Sequence, residues 1–170
     1  MASILRLLFP GYAFSLGGDF DLSSVLVGGP VAAKSIEICS DVITAINTSS
    51  LSTSELALSI NLESLDLSTL HTYVTPLTCE TEWANRSSRF KTFSIAVSVF
   101  QHVGDVEAGF PLLMELVENL ETLITNESNR VLTSSQAHLV STSSTCYDYT
   151  FAEESSIFLG VLTAQYRVQV

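Results

Sequence analysis

The sequence predicts an α+β domain: an antiparallel β-sheet with two main helices packed on one face. Three observations lead there. Residues 32–47 and 106–125 repeat apolar residues at helical spacing, and Phe93, Ile95, Val97 and Val99 alternate with Thr92, Ser94, Ala96 and Ser98 at strand spacing. The segments that read as strands also follow one another in a way that suits hairpins rather than crossovers. A chain of 170 residues, 46% of them hydrophobic and 15% charged, has the apolar content for one core and too much of it for global disorder.

Taken in order, residues 1–31 form an N-terminal arm of uncertain structure, rich in Gly and aromatic residues and broken at Gly17–Gly18 and Gly28–Gly29–Pro30. The opening MASILRLLF has the flavour of a secretory signal, but Pro10 and Gly11 cut its apolar stretch short and no small-residue cleavage site follows closely. No apolar run reaches the roughly 18 residues of a membrane span. A domain is expected over 32–170. Ile36, Cys39, Ile43 and Ile46 mark a first helix over 32–47, started after Pro30 and ended by NTSS. SELALSINLESL alternates like a half-buried strand, and DLSTL reads as a turn capped by Asp66. HTYVTPLT is a second strand in which Pro76, lacking an amide donor, calls for a bulge or a sheet edge. The polar CETEWANRSS is expected to be a long hairpin loop leading into RFKTFSIAVSVFQ, the strongest strand signal.

After the Gly104–Asp105 turn, Phe110, Leu113, Leu116, Val117, Leu120 and Ile124 form the apolar stripe of a second helix, with Glu115, Glu118 and Glu121 opposite. The Ser/Thr-rich stretch 126–145 shows one weak strand near Ala137–Val140. The aromatic turn YDYTFAEESS then precedes a terminal strand, IFLGVLTAQYRV.

Composition narrows function. With 18 acidic and 7 basic residues the net charge is -11, so a broad nucleic-acid-binding face is excluded by repulsion from phosphates. The surface is rich in hydroxyls, with 25 Ser and 16 Thr against only Lys34 and Lys91. His71, His102 and His138 have no metal-ligand spacing, and Cys39, Cys79 and Cys146, three and far apart, suit unpaired thiols. The Asn-x-Ser/Thr triplets at Asn47, Asn85 and Asn126 are what so many hydroxyl residues produce by chance. No nucleophile elbow, phosphate-cradling glycine loop or Cys-x-x-Cys pair is present, so no catalytic, cofactor-binding or metal-binding residue is assigned and no enzyme is expected.

One cluster stands out. Arg86, Arg89 and Lys91 place three of the seven basic charges just after Trp83. They either balance Glu80 and Glu82 or present positive charge and an aromatic anchor to an acidic partner. Trp and Arg are enriched at interface hot spots, and a second copy of this acidic chain is an obvious partner. Trp83, Arg86, Arg89 and Lys91 are therefore the candidate inter-subunit or partner contacts.

The order of these pieces over 32–170 resembles the tail terminator and neck (tail completion) proteins of tailed bacteriophages. The resemblance rests on IEICSDVITAIN, DLSTL ahead of HTYVTP, a basic loop with Arg86 and Arg89, FSIAVSVFQ, LLMELVENLETLI, YDYTFAEES and the closing LTAQYRV. Residues 1–31 match nothing in that pattern. The resemblance implies a structural virion protein, assembled in the host cytoplasm and located in the tail or neck. It would form a homo-oligomeric ring, usually of six copies, that stops the tail tube and joins it to the head connector. Its partners would be the tail tube protein and the connector or neck proteins; DNA would pass through the ring without specific binding, and no membrane is involved. The alternatives are another head–tail connector or minor tail protein, and a secreted or cell-surface binding domain.

Overall fold

The computed structural model describes residues 33–60, 65–85, 88–145 and 156–169. The chain divides into two units, residues 1–31 and 32–170, and every described residue belongs to the second. The expected arm over 1–31 and the aromatic turn at 147–155 lie outside the described residues.

The first helix, α1, runs Lys34–Ser49, so NTSS continues the helix rather than ending it. The Thr44 and Thr48 hydroxyls donate to carbonyls one turn back, so these side chains are accommodated within the helix without taking backbone groups out of it. Ser50 ends it in the left-handed region at φ 59°. Ile38, Cys39, Val42 and Ile46 are its buried stripe; Ile36 and Ile43, expected on it, are only half-buried. The Asn47 side chain then brackets the next segment, accepting from the Ser54 N–H at 2.7 Å and donating to the Ser54 carbonyl at 3.2 Å.

That bracket starts β1, Ser54–Leu56, which is three residues long rather than the twelve-residue strand expected over 54–65. The alternation fails physically because Ser54 and Ala57 are buried whereas Leu56 and Leu58 are exposed, so the apolar half of the pattern has no core to enter. Past a short turn in which Asp66 accepts from Ser68, β2 runs His71–Trp83 and β3 runs Arg89–His102. They pair antiparallel from His71↔Phe100 to Trp83↔Arg89, with a bulge between Pro76 and Thr78. The expected long hairpin loop is therefore corrected: all of CETEW is strand, and only residues 84–88 connect the two.

The second helix, α2, runs Val106–Thr125 as the period predicts, its first turn capped by Asp105, whose Oδ1 accepts from the N–H groups of Glu107 and Ala108. The weak strand becomes two: β4, Val131–Leu132, and β5, Ala137–Thr145. The terminal strand β6 runs Ile157–Gln169 and pairs with β3 along its whole length.

The sheet order is β1-β2-β3-β6-β5-β4, antiparallel except for β1 beside β2. Both helices pack on one face of it, as the sequence predicts. Val74, Ile95, Val97, Leu162, Ala164 and Tyr166 meet the stripes of α1 and α2 there, and Phe110 contacts Phe158 edge to face at 5.4 Å. Each fully buried aliphatic side chain in this layer contributes about 1.5–3 kcal/mol. The other face is not simply polar. Its lower rows carry Thr78, Thr92, Ser94 and Gln165, but Ala96, Ser98, Phe100 and Leu159 are buried.

Candidate assembly surface

The fold gathers three of the candidate contacts, Trp83, Arg89 and Lys91, at one end of the sheet. Residues 84–88 close the β2–β3 hairpin through the Ala84 N–H, which donates to the Ser88 carbonyl at 3.1 Å, and through the Asn85 side chain, which accepts from the Ser88 N–H at 2.9 Å. Trp83, the last residue of β2, therefore lies directly across from Arg89, the first of β3. The Arg89 guanidinium sits over the indole, 5.1 Å from the ring centroid. Trp83 remains 66% exposed, so the pair presents a broad amphipathic tip to solvent. Lys91 is half-buried on β3 opposite Thr81, on the same side of the sheet as Arg89. Arg86 lies outside the described residues. Trp83, Arg89 and Lys91 thus stand on or at the ends of strands, which corrects their expected place in a loop.

A fourth cation joins them from the far end of the sequence. Arg167 of β6 stands on the opposite side of the sheet, its guanidinium 5.5 Å from the Phe90 ring centroid and 3.6 Å from the Glu82 carboxylate. Glu82 therefore pairs with Arg167 rather than with Arg89 or Lys91, and among the described residues neither of those two has an ion-pair partner. Both members of the Arg167–Glu82 pair are substantially exposed, so the pair adds little stability. Sequence reasoning missed Arg167 because its place beside Glu82 follows from sheet order, not from spacing. Its position on alternate residues of the terminal strand is the only signal it leaves.

The sheet edges complete the surface. β1 covers β2 only at Thr72–Val74, and among the described residues no strand pairs with the outer edge of Thr78–Trp83. On the other side β4 covers β5 only at Ala137–His138, and none pairs with the outer edge of Val140–Thr145. Each of these two segments is six residues long; residues 75–77, next to the Pro76–Thr78 bulge, lie between the first of them and β1. All of Thr78–Trp83 is exposed. The β5 edge carries no charge, and two of its hydroxyls, Thr142 and Ser144, donate to the Glu121 carboxylate of α2 at 3.0 and 2.8 Å. That accounts for one of the three helix glutamates expected to be solvated; Glu115 and Glu118 are exposed.

Among the described residues no group of His, Cys, Asp and Glu is arranged to hold a metal ion, and no helix is long and apolar enough to cross a membrane. His71 stacks on Tyr73, with its Nε2 2.7 Å from the Asp66 carbonyl. Cys39 and Cys79 are free thiols, Cys39 buried as a small core residue and Cys79 exposed on the β2 edge. No protein-family model and no curated protein sequence matches the chain.

Proposed function

We propose that this chain is a structural virion protein that forms a ring at the head-proximal end of a phage tail, terminating the tail tube and joining it to the head connector. The observation that carries the reading is the exposed Trp83–Arg89 tip at the end of a strand edge that no strand pairs with among the described residues, the β5 edge on the other side being likewise unpaired among them. A head-to-tail contact between copies uses both features. The strongly acidic balance suits a ring through which DNA passes without being held. In this reading Trp83, Arg86, Arg89 and Lys91 contact a neighbouring copy, the tail tube protein or the connector, and no catalysis is involved.

Imaging of purified particles tests the reading. The protein is expected at the junction of tail and head, and particles lacking it are expected to carry tubes of uncontrolled length and unattached heads. Location at the distal tip or along the tail would make it a different minor tail component. Absence from the particle, with glycan or a cleaved N-terminus in the natural product, would overturn the reading in favour of a secreted binding domain.

A further inference from the structure

We infer that the two free edges of the sheet are complementary halves of one subunit interface: Thr78–Trp83 of β2 in one copy pairs antiparallel with Val140–Thr145 of β5 in the next. The inference deepens the ring reading above and rests on it.

Strand direction is the first argument. Taking β3 as running up, β2 and β6 run down and β5 runs up, because each neighbouring pair among the four is antiparallel. A rotation about an axis near the strand direction leaves these directions unchanged. The β2 of a neighbour, running down, therefore meets β5, running up, in the antiparallel sense that the rest of the sheet uses.

Length and side-chain facing are the second. Full overlap of the two six-residue edges sets Thr78 against Thr145 and Trp83 against Val140. In that register Cys79 and Thr81 oppose Ser144 and Thr142, while Glu80 and Glu82 oppose Ser143 and Ser141. The side facing agrees at every rung except Trp83–Val140, where Val140 is the extra residue of a bulge between Leu139 and Ser141. Cys79 and Thr81 pair with Phe93 and Lys91, and Ser144 and Thr142 pair with Leu162 and Ala164, all on the helix-covered side. Glu80, Glu82, Ser143 and Ser141 fall on the other. A slip of one residue would break this agreement.

Chemistry is the third. The matched register puts hydroxyl donors opposite both glutamates and brings no like charges together. It also brings Trp83, 66% exposed, to the same rung as Val140, 48% exposed. Pairing β2 with β2 in a two-fold dimer would instead crowd Glu80 and Glu82 against their own copies and leave the β5 edge open.

The placement of the short edge strands supplies a fourth. β1 blocks the upper part of the β2 edge and β4 the lower part of the β5 edge, and in the register above neighbouring copies step along the strand direction by about four residues, or about 13 Å. The four long strands of each copy span about 19 Å across the sheet. That step over that width tilts the strands by about 35°, at the lower end of the range in closed barrels. The offset therefore favours a closed ring over a flat array.

The test uses the native Cys79. In the full chain carrying Cys146→Ser, Ser144→Cys is expected to give, under mild oxidation, a ladder of disulfide-linked multimers ending in a closed ring, and Glu115→Cys in the same background is expected to give none. Because Ser144 and Thr142 both donate to Glu121, Glu80→Cys/Ser143→Cys in a chain with Cys79 and Cys146 both changed to Ser serves as the second pair. Light scattering of each variant before oxidation is read alongside. An oligomer that links through neither pair overturns the edge pairing but leaves the ring reading standing. A Cys79–Cys79 dimer overturns it in favour of a two-fold contact, and a monomer overturns both.

Discussion

The Arg89 guanidinium lies 5.1 Å over the Trp83 ring, across the last rung of the β2–β3 hairpin. An exposed cation–π pair of this kind holds about 0.5–1 kcal/mol, so its main effect is to fix the shape of the tip. Trp83→Ala and Arg86→Glu/Arg89→Glu are each expected to leave the folded state within about 1 kcal/mol of wild type by denaturant unfolding. Both are expected to abolish head-to-tail self-association in sizing experiments. Assembly at the wild-type level by the double charge reversal would make the tip ordinary solvated surface.

Asp41 of α1 accepts a hydrogen bond at 2.9 Å from the backbone N–H of Ser135, tying the helix to the β4–β5 turn across 94 residues of sequence. Hydrogen bonds to a charged acceptor contribute about 1.5–3 kcal/mol. Asp41→Ala is therefore expected to lower the melting temperature by roughly 3–12 °C, taking 2–4 °C per kcal/mol for a domain of this size. The Ser135 hydroxyl, buried with no hydrogen-bond partner among the described residues, contributes nothing to this bond. Ser135→Ala is expected to be neutral or slightly stabilising, and calorimetry on the two variants separates the backbone contact from the side chain.

Burial pushes the Cys39 thiol up to about 12, from an ordinary value of 9.0. Burial, followed by the nearby Asp41 and Cys39, raises the Tyr166 hydroxyl as well. In both groups the folded state retains a proton that the unfolded chain releases. The stability they support is therefore complete below about pH 9 and falls as pH rises toward 12, by at most about 1.4 kcal/mol per pH unit for each proton. Cys39→Ala is expected to flatten the thiol's part of that alkaline loss in urea titrations at pH 8–11. At pH 8, thiol labelling followed by mass spectrometry is expected to modify Cys79 readily and Cys39 only after unfolding.

Gly109 sits in the first turns of α2, where a Cβ would fall 2.2 Å from Cγ1 of Val103. Alanine is the better helix former by about 1 kcal/mol, but the clash outweighs that gain. Gly109→Ala is expected to destabilise the domain, and Gly109→Ala/Val103→Ala to recover part of the loss. A more stable single variant would show that Val103 moves aside at no cost.

The helices and the longest strands were legible in the sequence because their periods are local. Phe110 to Ile124 keep one stripe, and Phe93 to Val99 keep one face. The hairpin was misjudged because Glu80, Thr81 and Glu82 are polar on both sides. An edge strand with no layer over either face has no alternation to show, and its pairing with Lys91 and Thr92 is a property of the partner strand. The same holds for Ser141–Thr145, whose hydroxyls read as loop but lie along β6 and reach Glu121. The abundance of Ser and Thr, unexplained by composition, belongs in part to these two edges, where a Lys side chain in place of a hydroxyl would discourage pairing. Of the candidate site, the Trp83–Arg89 cluster was visible as local composition; the free edges and Arg167 were not, because both depend on sheet order.

The central claim is that copies of this chain close into a ring. The most direct measurement is the molar mass of the full-length protein at micromolar concentration, by size-exclusion chromatography with multi-angle light scattering. The account predicts a single species near six times the 18.4 kDa subunit, reduced to the subunit mass by Arg86→Glu/Arg89→Glu. A wild-type protein eluting at 18.4 kDa would contradict it.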